Sequence, residues 1–316
     1  MQNTEGELSK ISPLRAWDQP RGVGLQPLQR STMTDTGSPS RPAVPTRTVA
    51  PGSAFYQHLL RRIHGLGLPY GREDSFKLSQ RQIIQDRVLI GINRADLPAQ
   101  AMFEIAHELG MPGPCRELLA PHTPQANVVL FGIEDRADGS VCKLYLEFWD
   151  QVKQEVRRTG ARTPLLLHLG VKWDSARPGQ HEVARYTCYP LLPVRDVLRR
   201  MAMVYPRDGS PSTSEAALGI VRQGVKRNPA ASFLYLEVGE SDNPRCSFDV
   251  NLYKTGLSVA DAAPELRQAA GHFGIAAEAI DAQLQRLGHC PLGHLSAGTD
   301  RHGGEFLSVY GEIRPL

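Results

Sequence analysis

Several things are missing from this sequence, and each absence removes a class of function. No stretch approaches the roughly 18 consecutive apolar residues of a membrane-spanning helix. The five cysteines, Cys115, Cys142, Cys188, Cys246 and Cys290, are dispersed without CxxC spacing. They read as free thiols in a reducing compartment, neither a disulfide frame nor a zinc site. The beginning of the chain lacks the short basic-then-apolar pattern of a secretory signal, so a cytoplasmic protein is expected. The net charge is only +3, with no dense Lys/Arg tract, and nucleic acid is not an expected partner. Aspartates are never paired as DDxxD, which removes the metal–aspartate cluster of that type.

What remains is ordinary for a globular chain: 316 residues, 41% hydrophobic and 22% charged. That length buries a full core as one large domain or two small ones. Residues 1–50 are rich in Ser, Thr, Pro, Gly and Arg with no regular apolar spacing, and are expected to be a disordered tail. Met33 is a candidate alternative start within it. The folded domain is expected over residues 51–316.

Within that domain one layout recurs: an apolar strand, a glycine, an Asp two to four positions later, a turn, and a return strand bearing Tyr. It appears at 128–148, 165–191, 233–253 and 292–312. The glycines are Gly132, Gly170, Gly239 and Gly298, followed by Asp135, Asp174, Asp242 and Asp300. The tyrosines are Tyr145, Tyr189, Tyr253 and Tyr310. Turn residues cluster mid-segment between alternating apolar flanks, so each segment reads as a hairpin, with its Asp serving the turn. Helical spacing fills the intervals at 96–111, 192–204, 213–226 and about 258–288. A weaker fifth unit lies at 53–94, with a helix and strands near 75–79 and 87–92. The expected fold is α+β: an antiparallel ten-stranded β-barrel ringed by helices, its lumen wide enough for a ligand.

Strand alternation then sorts the faces, with leucines assigned outward under the helices. The inward set becomes Lys143, Tyr145 and Glu147; His168 and Lys172; Arg185, Thr187 and Tyr189. To it are added Phe233, Tyr235 and Glu237; Asp249, Asn251 and Tyr253; and Phe306, Ser308 and Tyr310. Enclosed cations need an anionic partner, and a diphosphate supplies one. Tyrosine faces can shield an allylic cation from water. His168 and His294 lack metal-ligand spacing and read as lumen-lining or structural. Two rivals stay open at this point: a non-catalytic barrel carrying a phosphorylated or aromatic ligand, and an interaction scaffold whose strand cations are simply solvated.

The stretches GREDSFKLSQRQIIQDRVLIGIN, SVCKLYLEF, ARYTCYPL and CPLGHLSAGTD, set in this repeat, resemble the ABBA-fold (ααββ) prenyltransferases. The likeness is strongest to the cyanobactin-type peptide prenyltransferases and spans about residues 53–316. Carried by several patterns in register and not by one motif, it implies a prenyl-barrel (PT barrel) enzyme that transfers an isoprenyl group from its diphosphate. The implied acceptor is a Tyr, Trp, Arg or Ser/Thr side chain of a ribosomal peptide; a small indole or phenol is the alternative. Glu73 matches the family's base, Arg87 and Lys143 its diphosphate ligands and Tyr145 a shielding position, with Arg185 and Tyr189 in the corresponding strand of the next unit. Strand alternation and the repeat add Lys172 to the diphosphate ligands and Tyr253 and Tyr310 to the cation shield. His168, Phe233, Tyr235, Glu237 and His294 fall to the acceptor pocket. Thr187, Asn251 and Ser308 stand where many members carry further basic residues, which implies a smaller phosphate cage or reliance on Mg²⁺. A monomer is expected.

Overall fold

The computed structural model describes residues 53–136, 139–160, 163–205, 213–241 and 243–313. The expected tail, the candidate start Met33 and the turn residue Asp242 lie outside these residues. Five hairpins alternate with helices along the chain. The first unit is α1 (Ala54–Gly65), β1 (Gly71–Ser79) and β2 (Gln82–Asn93). The second is α2 (Ala99–Glu108), α3 (Gly113–Leu119), β3 (Val128–Arg136) and β4 (Gly139–Glu147). Then come α4 (Trp149–Thr159), β5 (Leu165–Asp174) and β6 (His181–Tyr189). The fourth unit is α5 (Val194–Met203), α6 (Ser214–Arg227), β7 (Leu234–Glu240) and β8 (Cys246–Asn251). The last is α7 (Ala263–His272), α8 (Ala277–Leu287), β9 (Leu292–Thr299) and β10 (Glu305–Ile313).

Every strand pairs antiparallel with its neighbours in sequence, and β1 pairs with β10. The sheet is therefore a closed barrel of ten strands with no free edge, as the repeat predicts. All five hairpin turns gather at one end, and the helical connections leave from the other. Local chemistry fixes the turns: Asp174 Oδ1 accepts from Ala176 N at 2.9 Å, and Asp300 Oδ1 from His302 N at 2.9 Å. The turn role expected of these acids holds there. No helix among the described residues is long and apolar enough to cross a membrane, and the five cysteines are unpaired.

The core lies between sheet and helices. Phe131, Leu144 and Leu146 point outward onto Leu59 and Ile63 of α1 and Met102 of α2. Tyr235, Phe248 and Leu307 do the same under α5–α8, onto Val197, Ile220 and Leu266. Ser53 starts α1 by accepting from Tyr56 N, and Tyr56, Leu59 and Ile63 recur at helical spacing on its buried face.

Helices α3 and α4 lie outside the intervals that helical spacing marks in the sequence, and α4 bears on the site. Trp149, Val152 and Val156 form its buried stripe, and Gly160 ends it in the left-handed region at φ 61°. That stripe packs on Leu167, Cys188, Leu234 and Leu236, two of which are inward residues of β7. α4 thus closes part of the helix-connected end of the barrel.

This placement corrects the facing of β6 and β7. Their inward residues are Ala184, Tyr186 and Cys188 on β6 and Leu234, Leu236 and Val238 on β7. Arg185, Thr187 and Tyr189, and with them Phe233, Tyr235 and Glu237, face outward. The leucine-outward rule fails here because α4 spends its apolar face at the barrel end. The outside of β6–β7 is left partly open, with Arg185 and Gly239 exposed, so polar residues suit it. A β-bulge between Leu166 and His168 also shifts the β5–β6 register.

Candidate active site

The barrel encloses a cavity of about 940 Å³. Its mouth lies among the hairpin turns, where Arg177, Gln180 and His302 line it, and its floor lies toward the helix-connected end. Three groups of side chains divide the wall.

The first group is cationic. Glu134 of β3 accepts from Arg87 Nε at 3.1 Å, Lys143 Nζ at 2.9 Å and Arg136 Nη2 at 2.6 Å. Glu240, at the end of β7, pairs with Lys172 and accepts from Arg245 Nη1 at 2.7 Å. Five cations share two carboxylates. Burial works against the Glu134 anion, but Lys143, Arg87 and Arg136 overcome it and hold its pKa well below the usual carboxylate range. Glu240 is likewise pulled down to about 2 against burial, by Lys172 and Arg245. Burial and the facing Arg245 lower Lys172, opposed by Glu240; with Glu240 so strongly anionic, the pair is an ion pair. Lys77 joins from β1, its Nζ 4.6 Å over the Phe306 ring, with burial lowering its pKa to about 8. Arg87 Nη1 is buried and has no hydrogen-bond partner among the described residues. An orphaned guanidinium N–H facing an enclosed excess of positive charge is an anion site.

The second group is aromatic. Tyr145 and Tyr186 meet edge to face at 5.6 Å between ring centres, and Tyr310 faces both closely enough to affect their ionisation. Burial raises Tyr186 to about 12 and Tyr145 well above its ordinary value, so both are neutral phenols. Arg87 Nη2 donates to Tyr310 Oη at 3.2 Å, joining this group to the first. Leu89, Leu130 and Leu236 complete an apolar wall beside the tyrosines. Glycines on neighbouring strands make room for the long side chains. Gly170 lies directly across from Tyr145, and a Cβ there would fall 2.0 Å from the Tyr145 ring. Gly132 lies across from Lys143 in the same way, with a Cβ meeting the Lys143 stem at 3.2 Å.

The third group sits at the floor. His294 Nδ1 is 2.7 Å from Asp249 Oδ2, and its Nε2 is 2.9 Å from Glu73 Oε2. The ring stacks on Tyr310 at 3.8 Å. Burial opposes charge on His294, but Asp249 and Glu73 outweigh it and raise its pKa well above the ordinary value. The imidazole is therefore an imidazolium clamped between two carboxylates. Tyr253 Oη donates to the other oxygen of Glu73, which is fully buried. Beside this group His168 stacks on Tyr186 at 5.3 Å, with Nε2 3.1 Å from Glu147 Oε2.

Of the residues the sequence singled out, Arg87, Lys143, Lys172, Tyr145, Tyr310, His168 and His294 line the cavity together. Glu73 is set behind His294, and Tyr253 lies beyond β8 in a short 3₁₀ turn, reaching the floor only through Glu73. Arg185 bonds Ser241 on the outside at 3.2 Å. Tyr189 donates to Glu237 at 2.5 Å under Arg200 of α5, with Phe233 and Tyr235 in the adjoining outer core. These five are not in the cavity. Sequence reasoning missed Tyr186, Glu134, Glu240, Lys77 and Arg245. A one-residue change of face on β6 would have found Tyr186; Arg245 precedes β8, where alternation gives no signal. Among the described residues no group of three or more His, Cys, Asp or Glu converges as a metal-ligand set. The cavity carboxylates are spent on cations and on His294. The residues present do not fit a protein-held Mg²⁺, and no step below runs through one.

No protein-family profile matches the chain, and no curated protein matches it either. Solved structures do. The prenyltransferase PriB, in its apo form, is 15% identical with a TM-score of 0.52, over 83% of this chain and 91% of that one. The NotF prenyltransferase is 11% identical with a TM-score of 0.48, over 78% and 80%. AnaPT from Neosartorya fischeri is 12% identical with a TM-score of 0.46, over 76% and 77%. The likeness to PriB establishes the fold: this chain has the closed ten-stranded barrel of the ABBA prenyltransferases.

Two measurements check the site. Gly170→Ala overpacks Tyr145 and is expected to lower stability by about 1–3 kcal/mol in urea unfolding. Gly239→Ala, where a Cβ meets nothing within 4 Å, is the matched control and stays near wild type. For His294, the raised pKa means its pairing stabilises fully below about pH 6.5 and is lost only as pH rises through the folded value. Its ring nitrogens, followed by ¹⁵N NMR, should remain doubly protonated at pH 7.5; a neutral ring there refutes the clamp.

Proposed function

We propose that the protein is a prenyltransferase that ionises an isoprenyl diphosphate and adds the resulting group to an electron-rich acceptor. One observation carries this reading: four buried or half-buried cations and the more exposed Arg136 share two carboxylates, with Arg87 Nη1 unpartnered among the described residues, directly beside three converging tyrosines. A diphosphate answers the charge and the tyrosines answer an allylic cation. A simple phosphate carrier needs the first and has no use for the second.

The chemistry follows from the three groups. Arg87, Lys143, Lys172 and Arg245 bind the diphosphate and stabilise the negative charge that grows on it as the C–O bond breaks. Tyr145, Tyr186 and Tyr310 present their faces to the allylic cation and keep water out. The acceptor's carbon or heteroatom attacks C1 of the prenyl group, and its proton passes to the carboxylates of the floor. Asp249 reaches the cavity, and Glu73 is the buried end of the same charged trio. His294, already cationic between them, orients both carboxylates. Tyr189 and Arg185 drop out of the proposed roles, and Tyr253 becomes a support for Glu73.

The acceptor in this reading is one side chain of a ribosomal peptide, as in the cyanobactin-type enzymes. The cavity opens to solvent among the hairpin turns, so a peptide can stay outside while one Tyr, Trp, Arg or Ser/Thr enters. The enzyme is read as a cytoplasmic monomer, consistent with its dispersed, unpaired cysteines.

Incubation with dimethylallyl and geranyl diphosphate, with and without Mg²⁺, against Tyr-, Trp-, Arg- and Ser-bearing peptides and free indoles tests this by mass spectrometry. A prenylated peptide is expected; product from indole alone moves the acceptor to small molecules, and no product from any acceptor refutes the enzyme. Glu73→Gln should cut turnover about 10²–10⁴-fold, the range of a lost proton acceptor, while keeping diphosphate binding. Arg87→Gln should weaken pyrophosphate binding at least about tenfold.

A further inference from the structure

The β9–β10 hairpin ends at the mouth in the turn Asp300-Arg301-His302-Gly303-Gly304. Asp300 shapes this turn by accepting from His302 N and Gly304 N, and Gly303 adopts φ 77°. From it, Arg301 forms an ion pair with Glu182 at the start of β6. Strands β6 and β9 are not neighbours in the barrel, because β7 and β8 lie between them. The pair therefore reaches across the opening and does not follow the sheet. Both partners line the cavity.

The arrangement is incomplete as a purely structural contact. Glu182 Oε2 is buried and has no hydrogen-bond partner among the described residues, so the carboxylate is only half used there. Arg301 faces like charges: after burial, Arg136 and then Arg177 are the groups that lower its pKa, with Glu134 opposing. Arg136 belongs to the Glu134 cluster, which places Arg301 within reach of the anion site's field. The same turn touches that site once more, since Asp300 lies 3.7 Å from Lys77 Nζ. Side-chain exposure of 33% for Arg301 and 24% for Glu182 leaves the pair partly hydrated, and such pairs exchange partners at little cost.

We propose that Arg301 is a further diphosphate ligand carried on the β9–β10 turn, held by Glu182 while the cavity is empty and turned onto the anion when it is loaded. The turn then straps the mouth over the donor, with Lys77 released from Asp300 toward the same anion. This inference rests on the diphosphate reading of the cavity, and goes beyond it by giving the mouth a moving part. Glu182 competes with the ligand for Arg301, so removing its charge should help binding, whereas removing Arg301 should harm it. A static mouth would give the same two signs through its field alone, so ordering of the turn on loading is the readout that separates the two.

The test is calorimetric titration of the full chain with inorganic pyrophosphate and with dimethylallyl S-thiolodiphosphate, an unreactive donor analogue. Glu182→Gln should tighten both by about threefold, the scale of one partly exposed pair. Arg301→Gln should weaken both by about tenfold, the scale of one charge-assisted contact. Arg267→Gln, which breaks an exposed pair with Asp281 on the outer helices, should change neither. Amide exchange at residues 300–304 should slow on loading in wild type and not in Arg301→Gln. Unchanged affinity in both mouth variants, or no slowing in wild type, overturns the strap while leaving the anion site standing if Arg87→Gln still loses affinity. Failure of wild type to bind either probe removes the diphosphate reading itself, and the strap with it.

Discussion

The pairing of β1 with β10 is the contact on which the other properties of this protein depend. An open sheet with the same strands would present Lys143, Lys172 and Arg87 to water, where each is an ordinary solvated cation. Closure turns that face into an interior. Once there, a cation keeps its charge only beside a carboxylate, and the chain supplies too few: Glu134 serves three cations and Glu240 two. The enclosed excess is costly without a ligand. Such a cost is tolerable when the closed barrel is itself stabilised from outside by the helix-covered core.

Much of this was legible in the sequence because hairpin chemistry is local. Gly and Asp at fixed offsets mark the turns, and period-two alternation marks the faces. Where both faces of a strand had an unambiguous environment, as on β4, β5 and β10, the inward residues Lys143, Tyr145, His168, Lys172 and Tyr310 followed directly. Closure itself was inferred from the repeat number, and the register of β1 with β10 bears it out.

The illegible part has a specific physical origin. Alternation gives two candidate faces, and choosing between them requires knowing what covers each. On β6 and β7 that knowledge was non-local: α4, which opens the third unit, packs across the barrel end onto Leu234 and Leu236 of the fourth. The outer side is left polar, and Arg185 and Glu237 mimic an inward polar set. Glu134 and Glu240 were hidden for another reason. Acids near a strand end read as turn residues, and only the folded register brings Glu134 beside Arg87 and Lys143. Glu73 was found by resemblance, and its partner His294, 221 residues away, was named without its role.

The wall's division also sets a direction for the chemistry. Cations gather on the mouth side, where Arg136 and Arg245 join strand-borne lysines, and the carboxylate–imidazolium–carboxylate trio lies at the floor. With His294 protonated, that trio carries a net negative charge beneath the three tyrosines. In the proposed reaction, breaking a C–O bond between the two regions sends negative charge toward the cations and leaves positive charge over the tyrosines, above a negative floor. Both halves of the separated charge are then met by fixed groups of the opposite sign before the bond breaks, which lowers reorganisation. Glu134 and Glu240 contribute by keeping the cations ordered when no anion is present. In the proposed reaction their hold is the resistance an incoming diphosphate overcomes, and Arg87 Nη1, without a partner among the described residues, is where it first gains a bond.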